Sequence, residues 1–401
     1  MRILLATKFY YRRGGDCIYA LNLEELLKAH GHEVAVFAMQ YPENLPCRWE
    51  GYFPSEIRLR PSSRLLETLI RPYGLGEVRR KFRRLLDDFE PDVLHCNIIH
   101  THISPVIVEM AKERGIRTVW TMHDYKLLCP QGMCRSARGG DRCELCLGHG
   151  AEGRRRDLRN CIRNRCVKDS VIGSYIGYWE ALYWTPSRLQ GVTDAFVCPS
   201  QFMAGKMRQG GFDQDRLRVL CNFMDVRKCA AVRHGRRDGY YCYVGRLSQE
   251  KGVETLVRAA GRLRHRLIVV GGGPLERRLR DMAPPNIEFA GFRQWEEVRE
   301  IMMGARFIVV PSECYENNPL SAIEALCMGT PVLGARIGGI PELIEEGRTG
   351  MAFESGDAGD LERKIGLMLR TEFDYEGIAS LSRLRYDAEN YYHRIMNIYQ
   401  R

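Results

Sequence analysis

Two carboxylates frame the stretch "SECYENNPLSAIEALCMGTP", residues 312–331. Glu316 stands just before an apolar run that opens with a proline, and Glu324 lies inside that run. Asn318 is a residue type that caps helices, and Pro319 fits a first helical position. The amides of Leu320 and Ser321 then lack acceptors within the helix and suit a phosphate. A carboxylate set among Ala322, Ile323, Ala325 and Leu326 needs hydrogen-bond donors, which sugar hydroxyls supply. One carboxylate on each side of a phosphate-binding helix start suits a nucleotide sugar, with ribose at one end and hexose at the other. The plainer alternative is a solvated loop Glu and a helix Glu paired to a neighbour.

Other motifs point the same way. "GRLSQEKG", Gly245 to Gly252, places Arg246 and Lys251 after a strand and before a helix. Two cations and a helix N-terminus suit a diphosphate and can take the place of a metal at a leaving diphosphate; a surface loop with two basic residues is the alternative. "GGGP", Gly271 to Pro274, and the pair Gly14–Gly15 would let backbone approach a ligand closely, and a tight turn explains the first as well. "DQD" at Asp213–Asp215 reads as a polar turn rather than a metal site. Cys143, Cys146, Cys161 and Cys166 form CxxC and CxxxxC pairs, a spacing that suits a structural zinc. Cys129 and Cys134 are substitutes, and unliganded loop thiols are the alternative.

These residues need a scaffold of 401 residues, long for one domain. Strand-like runs ("RILLAT", "EVAVFA", "PDVLHCN", "RTVWTMHD", "DAFVCPS") alternate with helical spacing in the first half. "YYCYVGR", "RLIVVGG", "NIEFAG", "RFIVVPS" and "TPVLGA" do so in the second half. Such alternation predicts an α/β chain of two doubly wound parallel-sheet domains facing a cleft. The expected division is 1–222 with a C-terminal helix at 386–401, and 223–385. A Cys-rich insert occupies 129–166, and the basic, Gly-containing "VRHGRRDG" serves as a hinge.

Hydrophobic content is 45% and formal net charge +10. The first figure provides a large core; the second favours an anionic partner. The cations concentrate between Arg58 and Arg84 and between Arg154 and Lys168. With Tyr175, Tyr178, Trp179, Tyr183 and Trp184 they suggest an amphipathic basic face for an anionic membrane surface; a core helix is the alternative. Fifteen cysteines, six of them between Cys129 and Cys166, suggest metal before disulfides in a reducing compartment. No apolar run reaches about eighteen residues, and the first residues lack a cleavage pattern. The expected location is the cytoplasm, at the inner face of the plasma membrane if the basic face is used.

The stretch "PSECYENNPLSAIEALCMGTPVLGARIGGIPELI", with "YVGRLSQEKGVETLV", resembles the donor half of the retaining GT-B glycosyltransferases of family four. The resemblance covers nearly the whole chain. It implies transfer of a hexosyl unit from a UDP- or GDP-hexose to a hydroxyl of a saccharide or lipid-linked saccharide, with no cofactor for catalysis. It places Arg246 and Lys251 on the diphosphate, Glu324 on ribose, and Glu316 and His123 (in "WTMHD") on the hexose. Gly14 and Gly15 match the family's N-terminal Gly-Gly, and "YYHRIMNIY" its last helix. The chain departs from the family in having Asn317, Asn318 and Pro319 where many members have Phe-Gly. A GT-B epimerase or phosphorylase is the rival within enzymes, against which the Glu316/Glu324 arrangement argues. A zinc-knuckle nucleic-acid binder would leave the donor motifs unexplained, so nucleic acid is not an expected partner.

Overall fold

The computed structural model describes residues 1–56, 70–136, 140, 142–148, 156–229 and 237–401. Part of the first basic run, Arg154 and Arg155 of the second, and most of the expected hinge segment lie outside these. The chain forms two compact units, Met1–Leu220 with Tyr392–Arg401, and Cys221–Tyr391.

In the first unit the strands are β1 (Arg2–Ala6), β2 (Glu33–Phe37), β3 (Val93–Cys96), β4 (Arg117–Thr121), β5 (Ala195–Cys198) and β6 (Leu217–Val219). They form one parallel sheet in the order β2-β1-β3-β4-β5-β6. In the second unit β7 (Tyr240–Val244), β8 (Arg266–Val270), β9 (Ile287–Gly291), β10 (Ile308–Val310), β11 (Val332–Ala335) and β12 (Gly350–Phe353) run in the order β12-β11-β10-β7-β8-β9, also parallel. Ten of these strands coincide with the expected runs; β6 falls in the strand-like "LRVLCN", and β12 was not expected.

The runs are apolar because helices cover both sheet faces, so parallel strands lose the usual in–out alternation. Ile3, Leu4, Phe37, Leu94 and Trp120 are fully or almost fully buried in the first unit. Tyr241, Leu267, Val309, Leu333 and Phe353 are so in the second. Each sheet has one place where sequential order reverses: between β1 and β3 in the first, and between β7 and β10 in the second. In open parallel sheets such a reversal leaves a crevice at the carboxyl ends, where ligands bind. The loops after β7 and β10 carry Arg246, Lys251 and Glu316.

Candidate functional site

The second unit brings Lys251 and Glu316 together from segments 65 residues apart. Lys251 ends a short 3-10 turn (Gln249–Lys251) after β7, and Glu316 lies in the loop after β10. The Lys251 ammonium donates to Glu316 Oε1 at 2.5 Å, and Ser312 Oγ donates to the same oxygen at 2.7 Å. Burial would raise the Glu316 carboxyl, but the Lys251 charge and these two hydrogen bonds hold it below the ordinary carboxylate range. Burial likewise opposes the Lys251 charge, and Glu316 overcomes it, leaving that ammonium firmly protonated. Arg246 is exposed at the start of the same loop. Its carbonyl accepts from Tyr243 Oη at 2.8 Å, and its guanidinium has no carboxylate partner among the described residues.

Glu324 differs from Glu316. It lies in the helix Leu320–Cys327, and no described side chain donates to it or pairs with it. Burial alone pushes its carboxyl up to about 7. The start of that helix has no side-chain cap, so the amides of Leu320 and Ser321 keep no acceptor within the helix.

The structure corrects the expected cap. Pro319, not Asn318, takes the N-cap position, with φ −64° and ψ 121°. Asn318 is buried and turns away: its Oδ1 accepts from the Asn222 amide at 2.9 Å, and its carbonyl accepts from Asn222 Nδ2 at 2.8 Å. Two hydrogen bonds to a distant segment outweigh one local cap. Asn318 therefore anchors the site loop.

Glycines bring the loops close. A Cβ on Gly252 (φ +64°) would stand 1.9 Å from Pro311 O, and one on Gly271 (φ +127°) 2.0 Å from Gly245 O. The "GGGP" glycines thus let the loop after β8 lie against the loop after β7, where Leu247 N donates to Gly272 O at 3.0 Å. Gly338 was missed in the sequence. Its φ is +60°, an added Cβ would lie 2.3 Å from Glu316 O, and Gly339 N donates to that oxygen at 2.7 Å. The "GG" at 338–339 was the one available signal.

In the first unit His123 lies just after β4. Its Nε2–H donates to Asn97 Oδ1 at 2.9 Å, and its ring meets the Tyr19 ring at 4.8 Å. Burial lowers its pKa, with Asp16 and Asp124 opposing, so the imidazole is neutral at neutral pH. Gly14 is the N-cap of the helix Gly15–Ala29, in extended conformation and with no side-chain cap. Asp213 precedes a short 3-10 turn, Gln214–Arg216, that leads into β6.

The cysteines of the insert lie near one another. Cys146, Cys161 and Cys166 are buried with Leu158, and Cys143 is half-buried. Cys161 Sγ donates to Ser174 O at 3.8 Å and Cys166 Sγ to Asn160 O at 4.0 Å; the neighbouring Cys134 thiol lowers Cys129 to about 6, and neighbouring Cys166 lowers Cys161. Burial pushes Cys146 up to about 12. Among the described residues no group of three or more His, Cys, Asp or Glu is arranged to hold a metal ion.

Residues 13–228 match the family model "Glycosyltransferase Family 4", and residues 239–371 match "Glycosyl transferases group 1". The chain is 32% identical over 363 residues to an uncharacterized glycosyltransferase of Methanocaldococcus jannaschii, covering 86% of this chain and 83% of that one. It is 31% identical over 198 residues to a Salmonella typhimurium protein with the provisional name colanic acid biosynthesis glycosyltransferase WcaL. That match covers 45% of this chain and 49% of the relative. With several curated relatives the chain thus spans about half of their length (51% and 49%). Among solved structures, Anabaena HepE in complex with UDP superposes with a TM-score of 0.67 at 16% identity, covering 99% of both chains.

Proposed function

The chain belongs to glycosyltransferase family 4 and has its GT-B fold, and from this we propose that it moves a hexosyl unit, with retention, from a nucleotide sugar to a hydroxyl of a saccharide or lipid-linked saccharide. The observation that carries this reading is the pair of unlike carboxylates beside the reversal between β7 and β10. Glu316 is ionised and held by Lys251. Glu324 is half-buried with no donor among the described residues, a state that a ribose 2′,3′-diol would relieve by donating to it.

Each remaining residue then has a task. Arg246 and Lys251 neutralise the diphosphate, aided by the amides of Leu320 and Ser321. Glu316, with its second oxygen free of these contacts, accepts from hexose hydroxyls. His123, neutral and with Nε2–H committed to Asn97, offers Nδ1 as an acceptor for a further sugar hydroxyl. In the transfer the acceptor oxygen bonds to the anomeric carbon as the bond from that carbon to the phosphate oxygen breaks. The acceptor proton passes to the departing phosphate. Charge stabilisation at the diphosphate is then the main catalytic contribution.

The UDP in the HepE complex supports UDP as the nucleotide, and the relative named for colanic acid biosynthesis supports a polysaccharide-type acceptor. Thermal-shift measurements across UDP-, GDP- and ADP-sugars identify the donor. Glu316→Ala should abolish transfer while free nucleotide still stabilises the protein. Full transferase activity in that variant would remove Glu316 from the hexose site.

A further inference from the structure

The helix Val171–Tyr183 is built inside out. Its buried positions are Ser174, Gly177 and Glu180, whereas Val171, Ile172, Tyr175, Trp179, Leu182 and Tyr183 are exposed. Ile172 is 73% exposed and Trp179 56%. At about 100° per residue these six side chains fall within an arc of about 120°. They form a single apolar stripe on the outer side, where a soluble helix normally carries polar residues.

The inner side explains why the helix sits this way. A Cβ on Gly177 would lie 3.2 Å from Val167 Cγ2 and 3.4 Å from Pro130 Cβ, and one on Gly173 3.1 Å from Val167 O. The small residues let the helix lie close against the insert. Glu180 is held by Thr101 Oγ1 at 2.8 and 2.9 Å and by Lys126 at 3.2 Å. Trp184, just past the helix, is buried, its Nε1 donating to Pro72 O at 2.7 Å. The orientation is therefore fixed by the packed face. Among the described residues the stripe meets the Tyr73 ring and the Arg188 guanidinium at Tyr183 and the Tyr178 ring at Trp179, and Ile172, Tyr175 and Trp179 remain exposed. Leu75, 49% exposed, lies two residues beyond Tyr73.

Charge identifies the occupant. The short helix Arg159–Arg163 packs against this helix, and Arg159, Arg163, Arg165 and Lys168 are exposed beside it. Of these four only Arg163 has a carboxylate partner among the described residues, Asp157 at 3.4 Å. A second copy of the chain would bring the same cations against each other. A bilayer with anionic headgroups would meet the cations with opposite charge and take Trp, Tyr and Ile at its interface. The helix is 13 residues long, too short to span and suited to lie in the interface plane.

We propose that the outward face of the helix Val171–Tyr183 rests on an anionic lipid surface. This does not depend on which acceptor the enzyme uses. Full-length protein should sediment with equimolar phosphatidylcholine–phosphatidylglycerol vesicles at low salt, and less as salt rises. It should not sediment with phosphatidylcholine alone. The double variant Ile172→Glu/Trp179→Glu should bind at least about tenfold more weakly. Phe292→Glu, at a 79% exposed site in the second unit, should bind as the wild type does. Brominated lipids should quench the emission of Trp179 in the wild-type chain, a readout that needs no variant. The proposal is overturned by no binding, by equal binding to both vesicle types, by equal binding of the double variant, or by no quenching. A concentration-dependent dimer that the double variant abolishes, without vesicle binding, would assign the face to a second copy and overturn it as well.

Discussion

Glu324 makes a prediction through its protons. Its carboxyl titrates at about 7 in the folded chain and near the ordinary 4.5 in the unfolded one. Between those pH values the folded chain binds more protons, so stability falls as pH rises from about 4.5 to about 7 and stays reduced above. Glu324→Gln stays neutral throughout. It should match the wild type near pH 4.5 and exceed it at pH 8 by on the order of 3 kcal/mol in chemical denaturation. Nucleotide binding should run the other way. Ribose hydroxyls donate to the ionised form, so wild-type affinity should rise with pH up to about 8, and Glu324→Gln should lose both affinity and that slope. Equal stability of the two proteins at pH 8 would mean that Glu324 finds a donor in the free chain. Lys251 and Glu316 behave differently, because each already satisfies the other at 2.5 Å. On the proposed roles of these two residues, a nucleotide sugar would share or replace that contact, which would tie phosphate recognition to hexose recognition.

The loops that hold these side chains depend on glycine geometry. Gly338→Ala forces an L-residue into a left-handed conformation and drives its Cβ against the Glu316 backbone. A loss of at least about 2 kcal/mol is expected, with collapse of transfer. Gly347→Ala is the control: φ is +76° there, but no atom lies within 4 Å of the added carbon, so roughly 1 kcal/mol should suffice. Equal costs would show that contact with Glu316 is not what Gly338 provides. The insert supports a second prediction at this scale. The CxxC spacing favours zinc, and Cys146, Cys161 and Cys166 are buried in one cluster; among the described residues no three of these groups are already arranged around a metal position, so metal binding would have to draw them together. We propose about one structural zinc per chain, measurable by elemental analysis of protein purified under reducing conditions. Metal-free active protein with all six thiols titratable would leave them as small apolar packing residues. What could be read from the sequence follows the same division. The buried strands were legible because parallel strands are continuous apolar runs; β12 was not, being four residues that begin with a glycine. Asn318 was misread because a local capping rule competes poorly with a partner 96 residues away. The aromatic helix was legible as amphipathic, but periodicity cannot say which face the fold will cover.

The chain passes from the first unit to the second after Leu220 and returns at Tyr392, so residues 392–401 complete the first unit. Tyr399, in the helix Ala388–Gln400, shows what that completion does. Its hydroxyl meets His95 Nδ1 at 2.5 Å, while His95 Nε2 meets Thr121 Oγ1 at 2.7 Å. Thr121 Oγ1 in turn lies 3.2 Å from Tyr19 Oη, and the Tyr19 ring packs on His123. The helix Ala388–Gln400 thereby buttresses the residue proposed for the hexose through three hydrogen bonds and one ring contact. Burial holds His95 neutral, its pKa lowered to about 3. Tyr399→Phe would leave one ring nitrogen of a buried histidine without a partner, a loss of about 1–3 kcal/mol. Because His95 does not titrate above about 3, that loss should be the same at pH 6 and pH 8, unlike the Glu324 effect. The nucleotide-induced thermal shift should survive, since Arg246, Lys251, Glu316 and Glu324 all belong to the second unit. Transfer should fall as His123 loses its support. Loss of the nucleotide shift in Tyr399→Phe, or an unchanged stability, would break this division of labour.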